Sequence, residues 1–216
     1  MAEQIDTEPR VHNPIRSVFI NCPFDPEYTE HFDALIFSIA CCGFFPRSTL
    51  EAGGPESRIN SIMRLLSISE YSIHDLCRCR GEGDELLGRF NMPFELGMAV
   101  MLENHHTQEG RSNEEKHKWF FLVPQNVEFR KFISDLAGYD PKQYDGTIED
   151  LVRKVVSLLS PLPEARRLPP PSNRVFAAFP EFVRRKKVLE ADYGKGSGDI
   201  PWRFIVDAAR RIADAM

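Results

Sequence analysis

One carboxylate stands inside an otherwise apolar stretch of this sequence, and it is the first candidate for chemistry. In "RFNMPFELGMAV" (89–100), Glu95 is the only charged residue after Arg89, and the apolar run continues to Leu102. A helix that is apolar on all sides is normally buried. Because burying an ionised carboxylate costs several kcal/mol unless it is paired or hydrogen-bonded, we expect Glu95 to be there for a functional reason.

A carboxylate in this setting is suited to glycosidic bond cleavage. Placed beside the anomeric carbon of a sugar, it either attacks that carbon or stabilises the positive charge that develops there. Glu95 falls in the first turns of its predicted helix, where the helix dipole favours the ionised form. The alternative interpretation is that the charge of Glu95 only interacts favourably with the helix dipole while the side chain points into water.

A second carboxylate, Asp75, ends a predicted strand in "EYSIHDL" (70–76). An acid at the end of a strand can hold a ribose hydroxyl or orient a base, and we place Asp75 with Glu95 as a catalytic candidate. The alternative is that Asp75 caps a loop or helix. His74 should point to the opposite face of the strand, and we interpret it as a core or capping histidine.

The first predicted βα loop supplies three candidate substrate-binding residues. Asn21 and Asp25 flank the sequence "CPF", at a position where sugar or phosphate contacts are common in α/β proteins. Phe24 could stack on a base. Turn formation explains the two polar residues nearly as well, and aromatic side chains in such loops are more often packing residues.

Three further candidates flank the predicted site edge. Arg58 and Arg89 are the best candidates for a phosphate clamp, since a guanidinium group binds phosphate through two parallel hydrogen bonds. Both could equally be ordinary surface arginines. Asn91 can cap the helix that contains Glu95, and we include it among the substrate-binding candidates.

Apolar patterning predicts an alternation of strands and helices that would bring these residues together. The order β-α-β-α-β-α-β implies a parallel sheet with right-handed crossovers, in which ligands bind beyond the carboxyl ends of the strands. Two later helices follow, in "NVEFRKFISDLAGYD" (126–140) and "TIEDLVRKVVSLL" (147–159). The predicted strands lie in "RSVFINCPF" (16–24), "FFPRSTL" (44–50), "EYSIHDL" (70–76) and "KWFFLVP" (118–124), with helices at 28–42, from 58 to about 66 and from 91 onward.

We divide the chain into three parts. Residues 1–15 form a polar, flexible N-terminal segment, residues 16–162 an α/β nucleotide-processing domain, and residues 163–216 a proline-rich linker with a helical extension. The extension has two predicted helices that would pack on the sheet domain or on a partner. Its "RRKK" sequence (184–187) is most simply a solvated helix face, although it could attract a phosphate-rich ligand.

Composition restricts the partners. A formal net charge of −5 gives no electrostatic argument for polymeric nucleic acid or an anionic membrane. The polar N-terminus and the lack of a long apolar run lead us to expect a cytoplasmic protein. Cys77 and Cys79 are too closely spaced for a typical zinc site. We therefore expect no metal and no cofactor, with NAD as a possible substrate.

Together these features resemble the nucleoside 2-deoxyribosyltransferase superfamily and the related bacterial Toll/interleukin-receptor-like domains. The resemblance covers about residues 16–125 and rests on "NCPF", "HDL" and "MPFELGMAV". In these families the glutamate that precedes an apolar residue and glycine, on the helix after the third strand, is the catalytic carboxylate that works at the anomeric carbon. The sequence "FELG" gives that role to Glu95.

The resemblance implies a flavodoxin-like, three-layer parallel sheet and cleavage or transfer at an N-glycosidic bond. The Toll-like option would consume NAD in a bacterial antiphage defence system, and the transferase option would move deoxyribose between bases. Nineteen residues separate Asp75 from Glu95, whereas the transferases carry a shorter glycine-containing run, and this favours the Toll-like option.

Two other classes of function remain open. A non-catalytic module could bind a nucleotide or cyclic nucleotide and relay the bound state through the C-terminal helices. Those helices could also support a homo-oligomer or contact a defence-system partner. A structural interaction domain with an empty crevice is the third class.

Overall fold

The computed structural model describes residues 16–51, 57–78, 88–193 and 200–216, and its centre is a five-stranded, all-parallel sheet. The strand order is β2-β1-β3-β4-β5. This confirms the predicted α/β class and is the order of flavodoxin-like sheets. The strands are β1 (Ser17–Asn21), β2 (Phe45–Arg47), β3 (Tyr71–Asp75), β4 (Lys118–Pro124) and β5 (Lys142–Tyr144).

Helices cover both faces of the sheet. Ser57 and Thr147 cap two of them, because each side-chain oxygen accepts a hydrogen bond from a backbone N–H in the first turn. The α-helices are α1 (Thr29–Cys41), α2 (Arg58–Ser67), α3 (Asn91–Gln108), α4 (Ile148–Leu159), α5 (Ser172–Tyr193) and α6 (Trp202–Asp214). Short 3-10 helices lie at Pro26–Tyr28, Thr49–Glu51, Phe129–Lys131 and Ser134–Leu136.

The alternation of side chains along β1 separates the two faces. Val18 and Ile20 belong to the apolar cluster that contains α1, α4, α5 and α6. Phe19, between them, packs with residues of α2 and α3 on the other face. All three side chains are fully or almost fully buried, as expected for a parallel sheet covered on both sides.

The C-terminal helices pack against α1. Ten consecutive residues of α1, 32–41, are buried, which requires cover on the side away from the sheet as well. Phe37 supplies part of that contact, with ring centroids 6.2 Å from Phe179 and 5.3 Å from Phe182 of α5. On α6, Trp202 donates from Nε1 to the backbone oxygen of Pro46 at 3.0 Å.

Two sequence expectations were wrong in this region. The segment 126–140 forms two short 3-10 helices instead of one α-helix; its apolar residues Phe129 and Leu136 are buried as the spacing suggested, but the backbone winds for single turns only. The "RRKK" sequence is not a uniformly solvated face. Lys186 is buried, and its Nζ lies 2.6 Å from Oδ1 of Asp33, because it falls one turn after the buried Phe182 on the same helix face.

Some expectations concern parts of the chain outside the described residues. They are the N-terminal segment 1–15 and residues 79–87 of the connection between Asp75 and Glu95, which include Cys79. Among the residues that the structure describes, no helix combines the length and the apolar character needed to cross a membrane.

Candidate functional site

Glu95 lies on the buried side of α3, close to the carboxyl edge of the sheet. Only 5% of the surface of Glu95 is exposed, so its carboxyl group does not point freely into water. Burial raises its pKa from the ordinary 4.5 to about 7, against the opposing effect of the Arg58 guanidinium. At neutral pH the group is therefore divided between its acid and its carboxylate forms.

Cys22 marks the point where the predicted site residues meet. The thiol is buried directly after β1, and burial is the main cause that raises its pKa well above the ordinary value. The charges of Asp75 and Glu95 raise it further, and Arg58 opposes them. Three candidates from separate parts of the sequence are thus within electrostatic range of one side chain. The thiol itself stays protonated, which argues against a nucleophilic role.

Asp75 is fully buried at the end of β3, and the protein itself engages both of its carboxylate oxygens. Oδ2 accepts hydrogen bonds from the hydroxyls of Tyr28 and, at 2.8 Å, Tyr144, while Oδ1 accepts from the backbone N–H of Cys77 at 2.9 Å. Burial raises the pKa of Asp75, and these hydrogen bonds oppose the rise. The contacts make Asp75 a support for the site wall more than a direct ligand of a substrate.

Asn21 connects three elements at this edge. Its Nδ2 group donates to Nδ1 of His74 at 2.8 Å and to the backbone oxygen of Met92 at 2.9 Å. Met92 lies one turn before Glu95, so the contact fixes the start of α3 against β1. Both amide hydrogens of Asn21 are used in this way, which makes it a positioning residue.

A series of hydrogen bonds between buried side chains, the buried hydrogen-bonded chain, runs from His74 back along β3 toward the start of the strand. Because Asn21 donates to Nδ1, the proton of the neutral ring is on Nε2, which donates to Oγ of Ser72 at 2.8 Å. Ser72 then donates to Nε2 of His117 at 2.8 Å, and His117 Nδ1 donates to the backbone oxygen of Ser69 at 2.8 Å. Burial lowers the pKa of His74 to about 3 and that of His117 to about 4. His74 is a core histidine that faces away from Asp75.

The first βα loop is held by aromatic packing. Phe24 contacts Phe32 edge to face, with ring centroids 5.3 Å apart, and the guanidinium of Arg58 lies over the Phe24 ring at 5.2 Å. Phe24 is 38% exposed, so part of the ring still faces the site edge. The same guanidinium is close enough to Glu95 to oppose the rise in its pKa.

Asp25, in the same loop, is paired with arginines on both sides of the connection after β3. Its carboxylate lies 3.3 Å from Arg78 and 2.5 Å from Arg89. The Arg89 side chain is half exposed, so part of it remains accessible at the surface.

Asn91 does not cap α3. The cap position is Phe90, and Asn91 is the first helical residue, with an exposed side chain. Phe90 has α-region backbone angles, φ −87° and ψ −7°, whereas an N-cap side chain needs an extended backbone to reach the first N–H groups. Asn91 nevertheless lies at the helix end nearest the site.

A small cavity adjoins the Asp75 side of the edge. Its volume is about 220 Å³, and its lining includes Tyr28, Tyr144, His31 and Asn126. His31 stacks on Tyr28 with ring centroids 5.1 Å apart and donates from Nε2 to the backbone oxygen of Gly146 at 3.0 Å. Its Nδ1 atom is buried and has no hydrogen-bond partner among the described residues.

Cys22, His31 and Tyr144 also lie at this edge of the sheet, although the sequence did not predict them as site residues. Cys22 lies within "NCPF", whereas His31 and Tyr144 come to this edge only through the fold of α1 and the pairing of β5 with β4. Within the described part of the chain, no group of three or more metal-ligating side chains is suited to hold a metal ion.

The comparisons do not assign a family. No protein-family model matches the sequence, and no curated protein is significantly similar to it.

Proposed function

We propose that this protein cleaves, or transfers across, the N-glycosidic bond of a nucleotide, NAD or a nucleoside, with Glu95 as nucleophile or electrostatic stabiliser. The observation that carries the proposal is a nearly buried carboxyl group with a pKa of about 7 at the carboxyl edge of a parallel sheet. That edge, where β1 and β3 lead to helices on opposite faces, is where such folds bind ligands.

The electrostatics of Glu95 suit a cationic transition state. An ionised carboxylate in this position is poorly solvated, which is why its pKa is raised. Positive charge that grows at an anomeric carbon beside it would recover the lost solvation, whereas a neutral ground-state sugar would not. The interaction is therefore stronger in the transition state than in the bound substrate, which is the condition for catalysis.

The surrounding residues fit the parts of a nucleotide. Arg58 and Arg89 are exposed near the edge and are suited to phosphate. The cavity of about 220 Å³ is smaller than the roughly 300 Å³ at which typical ligand pockets begin. It suits one ring of a substrate, either the base or the sugar, with the remainder lying across the Glu95 side.

Asp75 supports this geometry as a positioning residue. Because Tyr28, Tyr144 and the Cys77 N–H use its oxygens, it aligns the cavity wall and is not a free acid–base group. A single free carboxylate is sufficient for attack at the anomeric carbon. Because Asp75 is engaged and does not act as a second acid–base group, the second candidate function is a nucleotide sensor that binds its ligand without turnover.

The test is to incubate the protein with NAD, nucleotides and deoxynucleosides, with and without a second free base, and to follow the bases by chromatography. We expect free base from one substrate class in the wild type and none above background with Glu95→Gln. Formation of a new nucleoside from the added base identifies a transferase. Saturable binding without product favours the sensor. If the protein shows no binding and forms no product, the proposal is contradicted.

The matched control is Glu114→Gln. It makes the same chemical change at an exposed loop residue and should retain wild-type activity. Loss of activity in both variants would mean that the effect of Glu95→Gln is not specific to the site.

A further inference from the structure

The helix that carries Glu95 is apolar on its outer side as well, and that side is uncovered in the described structure. Phe90 and Phe94 are 72% and 59% exposed, and Met101 is 59% exposed. On the neighbouring α2, Met63 and Ile59 are 49% and 43% exposed. Single exposed apolar residues are ordinary, but Met63, Phe94 and Met101 line one groove between α2 and α3, and Ile59 and Phe90 lie at the starts of these two helices. We call these five residues the α2–α3 patch.

The patch includes a groove between the two helices. Its volume is about 630 Å³, and its lining includes Met63, Leu66, Phe94, Gly97 and Met98. Charged side chains are absent from the described lining, which ends at His105. An apolar groove of this size has the lining of an interface core, from which charged residues are depleted.

Gly97 lies in the middle of the exposed stripe of α3, and no described residue crowds it. A Cβ atom added there would meet no atom within 4 Å, so packing within the described chain does not require glycine. Glycine in a helix interior costs conformational entropy relative to alanine. A second helix that approaches the backbone closely at Gly97 would explain the residue.

We propose that the α2–α3 patch is the interface of a two-fold homodimer in which α3 packs antiparallel against α3 of a second copy. The exposed positions 90, 94, 97 and 101 follow the alternating spacing of four and three residues that forms a helix–helix seam. A two-fold axis between residues 97 and 98 places Phe94 opposite Met101 of the second copy, and Phe90 opposite His105. The stripe is therefore self-complementary, as an isologous interface must be.

The exposed area favours a second copy as the occupant. The five side chains expose on the order of 500 Å² of apolar surface, taking roughly 200 Å² for each whole side chain. A standard interface buries about 800 Å² per partner, of which a little more than half, about 450 Å², is apolar. The patch thus has the apolar area that one partner contributes to a stable dimer interface. The same patch on the second copy contributes the matching area.

The first test is the mass of the full chain in solution, measured by light scattering or sedimentation across the micromolar range. We expect about twice the monomer mass of 24.8 kDa, and the monomer mass for Met101→Lys with an unchanged circular dichroism spectrum. The control is Val188→Lys, which changes a similarly exposed residue on α5 and should leave the dimer intact. A wild-type monomer at every concentration, or a dimer that Met101→Lys does not disturb, would overturn the proposal.

The second test addresses the antiparallel register independently of stability. Phe94→Cys and Met101→Cys proteins are mixed and mildly oxidised, and the crosslinked product is resolved on a non-reducing gel. The mixture should give a disulfide-linked dimer in far higher yield than either protein alone, because the proposed axis pairs these two positions. Equal yields from the mixture and the separate proteins would contradict the register.

Discussion

Replacing Glu95 by glutamine should stabilise the protein at alkaline pH. Burial raises the pKa of Glu95 from 4.5 to about 7, so the folded protein binds this proton more tightly than the unfolded chain does. The wild type must therefore lose stability as the pH rises through this range. At 1.36 kcal/mol per pH unit, the full loss is about 3 kcal/mol.

Glutamine has nearly the shape of the protonated side chain and carries no charge at any pH. The variant should match the wild type near pH 4.5 and exceed its free energy of unfolding by about 3 kcal/mol near pH 8. His74 and His117, whose pKa values are lowered by burial, destabilise both proteins as the pH falls below about 6.5. Their contribution cancels in the difference between the two proteins.

The assay is urea denaturation of both proteins at several pH values between about 4.5 and about 8, followed by fluorescence. Glu114→Gln, at an exposed loop position, is the control and should change the free energy of unfolding by no more than about 0.5 kcal/mol. A Glu95→Gln protein that is less stable than the wild type throughout would refute the reasoning, since it would show that the carboxylate makes a favourable structural contact.

Two further substitutions test the supports of the site and of the C-terminal helices. Lys186→Met leaves the buried Asp33 carboxylate without its partner and should lower the free energy of unfolding by about 3–5 kcal/mol, measured by urea denaturation. Ser72→Ala removes the hydroxyl between His74 and His117. It should cost about 2 kcal/mol in the same assay, because two buried ring nitrogens lose their hydrogen bonds.

Exposed neighbours provide the controls for these two changes. Lys187→Met and Ser157→Ala alter the same residue types at exposed helix positions and should change stability by no more than about 0.5 kcal/mol. If Lys186→Met is no more harmful than Lys187→Met, the ion pair does not hold α5 against α1. A neutral Ser72→Ala would contradict the buried hydrogen-bonded chain.

The main strands could be predicted because their sequences are buried on both faces. β1 and β4 each contain a run of apolar residues that stands out from the flanking loops, and in β3 the apolar Tyr71 and Ile73 alternate with polar residues. β5 could not be predicted, since it is three residues long and exposes Lys142 and Gln143. It is held by backbone pairing with β4 and by the buried Tyr144, which a local pattern does not reveal.

In the candidate site, too, some features are visible in the local sequence and others depend on the fold. Glu95 stands out because a charge in an apolar helix conflicts with its neighbours, and this conflict is visible in the sequence. The engagement of Asp75 by Tyr28 and Tyr144 is not visible there, because the two tyrosines lie 47 and 69 residues away along the chain. The position of Asn21 at the end of β1 could be predicted from the sequence. Its hydrogen bond to His74 could not, because it depends on the pairing of β1 with β3.

The most direct measurement of the central claim is kcat/KM for base release as a function of pH, in the wild type and in Glu95→Gln. If the ionised carboxylate works at the anomeric carbon, kcat/KM should rise about tenfold per pH unit up to about pH 7 and then level off. Glu95→Gln should be lower by about a hundredfold or more at the plateau. Base release that is independent of pH and unchanged in Glu95→Gln would contradict the account.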